Sequence, residues 1–434
     1  MLIRRPHYEQ LIMRFFKTPS LIKVLTGIRR CGKSSLLRLV AQEASRCGIP
    51  ANNIMILKMD NLDGDLGNAL GSAPFYPTAE WLAERIDAML AQADPRHLSY
   101  LFLDEIQDVP GWERVVRRLQ AKGDIDIYLT GSNAYMLSSE LSTLLSGRYV
   151  EITVNPLSYG EYLGFMHHYG IGIGSAREPF DGYLMFGGMP GQFDLRERNH
   201  ETMTRLLQGV FDSVLLNDVA KRTHVSDIDL LEKLVTYLFS SSGNLFSTKK
   251  IVDTLTSSGR KTAQRTIDGY LEALKNALIV REVPQSGVKG KELLNPKRKF
   301  YPTDLGLRNL AAGFPTGDIG FQLENVVCNE LVKRQFDVSV GSLPDGSEID
   351  FVARRSTGEQ HYYQVTQSLL DEGVYERELA PLRKIGDSFP KTVLTLDGFR
   401  TGFTEDGIRI VGLIDWLLET LQEDAGETGG MRCV

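Results

Sequence analysis

The chain has 434 residues, of which 42% are apolar and 24% are charged, and its formal net charge is −6. This balance is typical of a folded protein of about three domains, and it excludes a disordered or fibrous chain. Because no apolar run approaches the roughly 18 residues of a membrane-spanning helix and the N-terminus carries charge, we expect a cytoplasmic protein with no membrane partner. The four cysteines show no C-x-x-C spacing, which argues against a disulfide framework and a structural zinc site.

Short apolar runs alternate with helical patterns over residues 1–155. Four of these runs read as strands, and amphipathic helical patterns separate them; the runs span residues 21–26, 54–59, 100–103 and 125–130. An alternation of strands and helices is typical of a parallel sheet with helices on both faces. We therefore expect an α/β domain in this part of the chain.

A glycine-rich segment directly follows the first predicted strand. Residues 27–35 read GIRRCGKSS, which matches the pattern G-x-x-x-x-G-K-[ST] at every fixed position. In this pattern the loop backbone and the start of the next helix bind phosphate oxygens, the lysine contacts the β and γ phosphates, and the hydroxyl after it contacts Mg²⁺. We therefore expect ATP and Mg²⁺ as cofactors, and the predicted nucleotide contacts are Gly27, Arg29, Arg30, Cys31, Gly32, Lys33, Ser34 and Ser35.

Two acidic residues, Asp104 and Glu105, follow the four apolar residues of the third predicted strand. The carboxyl ends of parallel strands are where α/β sheets bind their ligands. We expect Asp104 to hold Mg²⁺ through water, together with the hydroxyl of Ser34. We expect Glu105 to polarise the water that attacks the γ phosphate.

These segments together resemble the AAA-type P-loop ATPases, in which Asp-Glu at this position marks a hydrolase. The resemblance implies that Ser132 or Asn133, after the next strand, is the polar sensor that aligns the attacking water, and the sequence does not choose between them. It also implies that Arg148 is a finger inserted into the site of a neighbouring copy, and hence that the protein is a homo-oligomer. An ordinary surface arginine is the alternative interpretation of Arg148.

Further features are similar to a widespread prokaryotic AAA ATPase family whose members carry a C-terminal domain of unknown function. They are Arg29-Arg30 in the glycine-rich segment, Thr130-Gly131-Ser132, Gly147-Arg148, and Pro156-Leu157-Ser158-Tyr159 with Glu161. The resemblance covers most of the chain, from about residue 4 to residue 418. The resemblance implies that the protein binds and hydrolyses a nucleotide, and it does not imply a particular biological role.

A basic segment lies inside the acidic chain. Between residues 221 and 300 there are 15 lysines and arginines against 8 aspartates and glutamates. Three short helices are predicted within residues 227–281, and the third places Lys261, Gln264 and Arg265 opposite its apolar face. This order resembles a winged helix, so we expect DNA as a partner. A lid or a protein-contact module is the alternative.

The C-terminal part resembles the restriction-endonuclease-like nuclease core. Glu324 on a helix and Asp350 on a strand fit the acidic positions of that core, which hold Mg²⁺. Gln364 and Thr366 stand where the resemblance implies a second acid and a lysine. Loss of an anionic ligand and of a cation weakens such a site, so we expect a nuclease fold without nuclease activity.

The predicted architecture is therefore α/β, with an N-terminal P-loop parallel sheet and flanking helices, a helical and winged-helix module, and an α/β restriction-endonuclease-like domain. The expected limits are 1–155 for the ATPase, 156–225 for a helical lid or connector, 226–310 for the winged-helix-like module, 311–422 for the nuclease-like domain and 423–434 for a flexible tail.

The expected function is Mg²⁺-dependent ATP binding and hydrolysis coupled to DNA binding or remodelling. One alternative is an ATP-driven regulatory switch that acts on a protein partner without DNA. A second alternative is an ATP-dependent nuclease that uses Glu324, Glu348 and Asp350 in a rearranged site.

Overall fold

The structure is a computed structural model that describes residues 2–59, 77–132, 147–174, 177–220, 225, 227–287, 297–315, 317 and 319–426. The chain divides into two compact units. The first consists mainly of residues 1–155, and the second consists of residues 156–275 and 279–427. Each unit contains its own sheet.

A five-stranded parallel sheet forms the centre of the first unit, with the strand order β2-β3-β4-β1-β5. Its strands are β1 (Ile22–Thr26), β2 (Ile54–Lys58), β3 (Ser99–Asp104), β4 (Ile125–Gly131) and β5 (Tyr149–Thr153). Since every pair is parallel, the carboxyl ends of all five strands lie along one edge of the sheet. The predicted α/β architecture with a parallel sheet is confirmed.

In the described part of this unit the α-helices are α1 (Pro6–Met13), α2 (Lys33–Arg46), α3 (Ala79–Leu90) and α4 (Trp112–Gln120). The apolar residues of α3 and α4 pack against alternate residues of the strands, among them Leu101, Leu103 and Ile127. The residues between these point to the other face, where Phe102 and Tyr128 stack with ring centroids 4.8 Å apart. Both faces of the sheet are therefore buried, as parallel sheets require.

One buried ion pair interrupts the apolar interior. Lys23 of β1 and Asp126 of β4 form a salt bridge, and the side chains of both are fully buried. Tyr128 Oη donates a hydrogen bond of 2.8 Å to Asp126 Oδ2, and Lys23 Nζ donates one of 2.8 Å to the carbonyl of Thr18. The additional hydrogen bonds offset part of the cost of removing both charges from water.

The second unit begins with helices. They are α5 (Tyr159–His168), α6 (Glu178–Phe186), α7 (His200–Ser213), a π-helix (Val214–Ala220), α8 (Ile228–Ser240), α9 (Thr248–Ser257) and α10 (Gln264–Asn276). A capping box starts α5: Ser158 Oγ accepts a hydrogen bond from the N–H of Glu161, and Glu161 Oε2 accepts one of 3.0 Å from the N–H of Ser158. The Pro-Leu-Ser-Tyr-x-Glu motif of the sequence therefore has a structural role as a helix start.

Two glycines allow the segment after α6 to pack against the buried carboxylate of Asp304. The N–H of Gly188 donates a hydrogen bond of 2.8 Å to Asp304 Oδ2, and the N–H of Leu307 donates one of 3.0 Å to Asp304 Oδ1. A Cβ at Gly187 would lie 2.4 Å from Asp304 Oδ1, and one at Gly188 would lie 2.1 Å from the carbonyl oxygen of Leu157. The glycines are therefore needed for packing.

An eight-stranded sheet, ordered β12-β13-β11-β10-β9-β8-β6-β7, completes the second unit. Its strands are β6 (Val280–Ser286), β7 (Arg298–Pro302), β8 (Asp337–Ser342), β9 (Glu348–Arg354), β10 (Gln360–Thr366), β11 (Lys391–Thr395), β12 (Gly402–Phe403) and β13 (Arg409–Gly412). Four helices accompany them: α11 (Leu305–Ala311), α12 (Ile319–Lys333), α13 (Glu372–Arg383) and α14 (Leu413–Gly426). Residues 427–434 of the predicted tail lie outside the described residues.

The hairpin of β6 and β7 is part of this sheet. The two strands are antiparallel, and β6 continues into a parallel pairing with β8 through Gln285 and Val340. The hairpin thus connects α10 to the C-terminal α/β region through backbone hydrogen bonds. Among the described residues, no helix combines the length and the apolar character needed to cross a membrane.

Candidate functional site

The phosphate loop, residues 27–34, joins the carboxyl end of β1 to the first turn of α2. Gly27 has a φ of +153° and Gly32 a φ of +106°, which are conformations that other residues rarely adopt. A Cβ at Gly27 would lie 2.2 Å from the carbonyl oxygen of Val154, so the close approach to the segment after β5 requires glycine. The loop ends at the positive end of α2, where anions are favoured.

Arg5, in the N-terminal segment, holds this loop through two hydrogen bonds. Its Nη1 donates a hydrogen bond of 3.0 Å to the carbonyl of Cys31, and its Nη2 donates one of 3.0 Å to the carbonyl of Asn155. The Cys31 thiol donates to the carbonyl of Val154 at 3.1 Å, and burial raises the pKa of this thiol. Because the Cys31 side chain is turned into the protein, only the backbone of Cys31 remains available for the predicted nucleotide contact. The sequence pattern contained no signal for Arg5.

Lys33 lies between the loop and the acidic end of β3. Its Nζ donates hydrogen bonds to the carbonyls of Gly27 at 2.9 Å and Ile28 at 3.2 Å, and it lies 3.9 Å from Glu105 Oε1. The residue is only 3% exposed. The other predicted loop contacts are more accessible: Arg29 is half-buried, and Arg30 and Ser35 are exposed.

Two oxygen donors face each other beside the loop. Ser34 Oγ donates a hydrogen bond of 2.9 Å to Asp104 Oδ1. The same carboxylate oxygen accepts a hydrogen bond of 2.5 Å from Thr130 Oγ1, which in turn accepts one of 2.9 Å from the N–H of Glu105. A hydroxyl and a carboxylate are the ligands that Mg²⁺ prefers, so the residues present fit this ion.

Glu105 has an unusual backbone and a specific side-chain partner. Its φ of +53° and ψ of +44° place it in the left-handed region, where strain often marks a functional position. Gln107 Nε2 donates a hydrogen bond of 2.5 Å to Glu105 Oε2 and lies 3.5 Å from Ser132 Oγ. Gln107 Oε1 is buried and has no hydrogen-bond partner among the residues that the structure describes.

The structure therefore brings together most of the predicted site and adds residues that the sequence patterns missed. Lys33, Ser34, Asp104, Glu105 and Ser132 meet at the carboxyl edge of the sheet. Thr130 and Gln107 link them, and the only signals in the sequence were a polar residue ending β4 and a glutamine two positions after Glu105. Asn133 lies outside the described residues.

Arg148 does not belong to the site of its own chain. Its carbonyl accepts a hydrogen bond of 3.0 Å from the N–H of Ile22, and Tyr149 pairs with Ile22 at the start of β1. The phosphate loop follows the other end of β1, about 16 Å away at 3.3 Å per residue. The arginine is exposed at the amino edge of the sheet.

Of the three residues predicted to contact DNA, Gln264 and Arg265 begin α10, and Lys261 lies three residues before it. Lys261, Gln264 and Arg265 are all exposed, whereas the residues of the opposite face, Ile267, Tyr270, Leu271 and Leu274, are buried. The neighbouring Arg260 is paired within the segment, because it forms salt bridges with Asp227 and Asp229.

The C-terminal acids meet a lysine that the sequence patterns did not indicate. Glu324, Glu348 and Asp350, here called the carboxylate cluster, lie around Lys299 of β7. The ammonium forms a salt bridge with Glu348 and lies 3.7 Å from Glu324 Oε2. Burial raises the pKa of Glu324, and it raises the pKa of Asp350 strongly.

Gln364 and Thr366 occupy the strand next to Asp350. Asp350 Oδ2 accepts a hydrogen bond of 2.8 Å from the N–H of Val365, and Gln364 Oε1 accepts one of 3.4 Å from the N–H of Asp350. Gln364 Nε2 donates a hydrogen bond of 3.1 Å to Glu378. Among the described residues, no three His, Cys, Asp or Glu side chains are grouped so that they could hold a metal ion.

Comparisons with known proteins locate two regions in the chain. The AAA domain family matches residues 19–163, and a domain of unknown function matches residues 177–318. An uncharacterized protein of Haemophilus influenzae is 35% identical over 426 residues, which cover 96% of this chain and 99% of that protein. An uncharacterized protein of Methanocaldococcus jannaschii is 27% identical over 73% of this chain and 68% of its own length.

The Walker-type ATPase of Pyrococcus abyssi aligns with 18% identity and a TM-score of 0.49, over 72% of this chain and 96% of that chain. The nucleotide-binding geometry of the first unit lies within the residues that match the AAA domain. The chain belongs to the family of the Haemophilus influenzae protein, and it is an AAA-type P-loop ATPase in which a domain of unknown function follows the ATPase domain.

Proposed function

We propose that the chain couples Mg²⁺-dependent ATP hydrolysis in its first unit to DNA binding by its second. The observation that carries the hydrolytic part is the convergence of Lys33, Asp104 and Glu105 at one edge of the parallel sheet. A cation, a metal-ligating carboxylate and a second carboxylate are the groups that ATP hydrolysis requires at the γ phosphate.

Each side chain of the site then has one task. Lys33 binds the β and γ phosphates, and the backbone N–H groups of the phosphate loop orient them. Ser34 and Asp104 hold Mg²⁺, which when bound stabilises charge on the phosphate oxygens. Thr130 keeps Asp104 in place by donating to its Oδ1 at 2.5 Å. These roles follow from the chemistry of the groups and from their distances.

Glu105 accepts a proton from the attacking water, and Gln107 orients the carboxylate of Glu105. The hydrogen bond from Gln107 Nε2 to Glu105 Oε2 leaves Glu105 Oε1 on the side of Lys33, at 3.9 Å from its ammonium. The Gln107 amide also lies beside Ser132, one of the two predicted sensor residues. A buried amide oxygen on Gln107 is suited to accept a hydrogen bond from water.

Arg148 acts in the ATPase site of a neighbouring copy of the chain. Its position at the amino edge of the sheet keeps it away from its own phosphate loop. An exposed arginine at this edge is free to approach the carboxyl edge of another copy. We therefore propose a homo-oligomer in which Arg148 completes the site of its neighbour.

The proposal for DNA rests on the segment from α8 to β7. Three helices are followed by the antiparallel hairpin, and an isolated antiparallel bridge joins Phe246 to Arg298 of β7. This arrangement supports a winged helix with α10 as the recognition helix. The exposed side chains of Gln264 and Arg265 in its first turn, and of Lys261 just before it, suit contacts with phosphates and base edges.

For the remaining parts of the chain we propose the domain boundaries expected from the sequence. Residues 156–225 form a helical connector, residues 226–310 a winged-helix-like module, and residues 311–422 a restriction-endonuclease-like domain without nuclease activity. Support for the last point comes from Gln364 and Thr366, which supply neither a carboxylate nor an ammonium beside Asp350.

A regulatory switch that acts on a protein partner is the second candidate. A pocket of about 270 Å³ between α8 and α9 favours it, because its lining is mainly apolar and includes Leu234, Tyr237 and Ile251. Such a pocket suits an apolar side chain of another protein better than it suits a phosphate backbone. In this case ATP binding and hydrolysis control a protein contact.

The test is the steady-state ATPase rate with and without single-stranded and double-stranded DNA. The DNA proposal predicts a higher rate with DNA, and loss of this stimulation in the Lys261→Ala/Arg265→Ala variant without a change in the basal rate. The matched control is Arg205→Ala/Arg409→Ala, which removes two exposed arginines from other surfaces. A rate that DNA leaves unchanged favours the protein-directed switch.

A further inference from the structure

The buried guanidinium of Arg5 joins the phosphate loop to the segment that follows β5. Its Nη1 donates a hydrogen bond of 3.0 Å to the carbonyl of Cys31, and its Nη2 donates one of 3.0 Å to the carbonyl of Asn155. Arg5 is only 3% exposed. One planar group therefore fixes two backbone carbonyls that belong to distant segments of the first unit.

The N-terminal segment holds Arg5 in place. The N–H of Arg5 donates a hydrogen bond of 2.8 Å to Glu9 Oε1, and the N–H of Glu9 donates one of 3.1 Å to the carbonyl of Arg5. The guanidinium carbon lies 4.5 Å from the centroid of the Tyr8 ring, and Tyr8 Oη accepts a hydrogen bond of 3.0 Å from the N–H of Asn155. Tyr8 and Glu9 are also buried. The guanidinium is therefore held through the backbone of Arg5 and through a ring.

The carbonyl of Cys31 belongs to the same peptide unit as the N–H of Gly32. A trans peptide unit is planar, and its C=O and N–H groups point in opposite directions. A Cys31 carbonyl held by Arg5 therefore fixes the N–H of Gly32 on the side away from the guanidinium. Gly32 is the N-cap of α2, and its φ of +106° is one that glycine adopts without strain. Because glycine permits many backbone conformations, a contact outside the loop is needed to select one of them.

We propose that Arg5 is a positioning residue for nucleotide binding, which orients the N–H groups of the phosphate loop toward the phosphates by holding the Cys31 carbonyl. Arg5 acts through the loop backbone and does not touch the nucleotide. The same N–H groups bind the phosphates before and during hydrolysis, so loss of Arg5 weakens binding more than it slows the chemical step. Lysine keeps the charge but offers one nitrogen, which cannot hold both carbonyls as the planar guanidinium does.

The test compares the full-length wild type with Arg5→Ala and Arg5→Lys, by steady-state ATPase kinetics and by calorimetric titration with ADP. We expect Arg5→Ala to raise KM for ATP and Kd for ADP about tenfold or more, while kcat changes less than about threefold. Arg5→Lys should give intermediate values. Guanidinium chloride, at a concentration too low to unfold the protein, should lower the KM of Arg5→Ala and leave that of the wild type unchanged, because the free cation can bind the same two carbonyls.

The matched control is Arg4→Ala, which removes an exposed arginine that pairs with Glu9. This variant should leave KM and Kd close to those of the wild type.

Unchanged KM and Kd in Arg5→Ala would overturn the proposal. So would a fall in kcat at constant KM, because that pattern indicates a smaller fraction of folded protein. If Arg5→Ala does not fold, Arg5→Lys decides by the same criteria, and failure of both variants to fold would assign Arg5 to folding instead. The ADP titration tests Arg5 even if the wild type hydrolysed no ATP, and no measurement uses DNA, so failure of this proposal is distinguishable from failure of the proposed function.

Discussion

The hydroxyl of Thr130 lies 2.5 Å from Oδ1 of Asp104, and this contact joins the ends of two neighbouring parallel strands. Thr130 donates to the carboxylate and accepts from the N–H of Glu105 at 2.9 Å. One hydroxyl therefore positions both the predicted metal ligand and the predicted base. We propose that this hydroxyl orients the two residues and does not itself contact the nucleotide.

Thr130→Val tests this relationship, because valine keeps the shape of threonine and replaces the hydroxyl with a methyl group. We expect kcat to fall about tenfold or more, since the Asp104 carboxylate loses a donor and the buried N–H of Glu105 loses its acceptor, a cost of about 1–3 kcal/mol. Thr130→Ser is the control and should retain most of the activity. Wild-type kcat in Thr130→Val would show that the contact is not needed.

The proposed action of Arg148 in a neighbouring copy's site predicts how assemblies of two different variants behave. Arg148→Ala and Glu105→Gln should each be inactive alone, because each lacks one part of every composite site. A mixture of the two variants should recover part of the ATPase activity, since some interfaces then pair an intact glutamate with an intact arginine. Full activity of Arg148→Ala in a chain that sedimentation shows to be monomeric would exclude this role.

DNA binding by the three-helix segment predicts a specific salt dependence. The affinity should fall with log[salt] at a slope of about −0.9 per phosphate neutralised. Replacing Lys261 and Arg265 by alanine should flatten that slope by about two units and weaken binding similarly for all sequences. An equal slope in the wild type and the variant, measured by fluorescence anisotropy, would contradict the assignment of these two residues.

Asp304 predicts a dependence of stability on pH. Burial raises its pKa from the ordinary value of 3.8 to about 6, even though the backbone N–H groups of Gly188, Leu307 and Gly306 lower it. The native state therefore binds a proton more tightly than the unfolded state does. It follows that Asp304 makes its largest contribution to stability below about pH 4, and that this contribution falls by about 3 kcal/mol as the pH rises to about 6.

The measurement is urea unfolding across this pH range for the wild type and Asp304→Asn. Asparagine keeps an oxygen that can cap α11 at Leu307 but does not ionise. We expect the difference in unfolding free energy between the two proteins to shift in favour of the variant as the pH increases from about 4 to about 6. A difference that stays constant with pH would show that Asp304 does not titrate there.

The sequence predicted the parallel sheet and the segments that carry the ATPase site because both depend on local patterns. The spacing of Gly27, Gly32 and Lys33 is fixed by the turn between a strand and a helix. The acidic pair Asp104 and Glu105 was visible because it interrupts an apolar run. Patterns of this kind are confined to a few consecutive residues.

Contacts between distant segments were not visible in the same way. Arg5 reaches the phosphate loop across 26 residues, and Thr130 reaches Asp104 across the same separation. The pairing of β6 with β8 joins the hairpin to the C-terminal sheet, and it places Lys299 among acids that lie 25 to 51 positions further along the chain. Such contacts depend on strand order and register, which local patterns in a single sequence do not reveal.

Nucleotide affinity and kcat of Glu105→Gln, measured on one preparation, test the hydrolytic site most directly. The variant keeps Lys33, Ser34 and Asp104, so we expect ATP affinity close to that of the wild type, while kcat falls by about 10²-fold or more because the water loses its base. Lys33→Ala should lose ATP binding itself, and Glu80→Gln, the same change at an exposed position of α3, should alter neither quantity. Near wild-type turnover in Glu105→Gln would contradict the account.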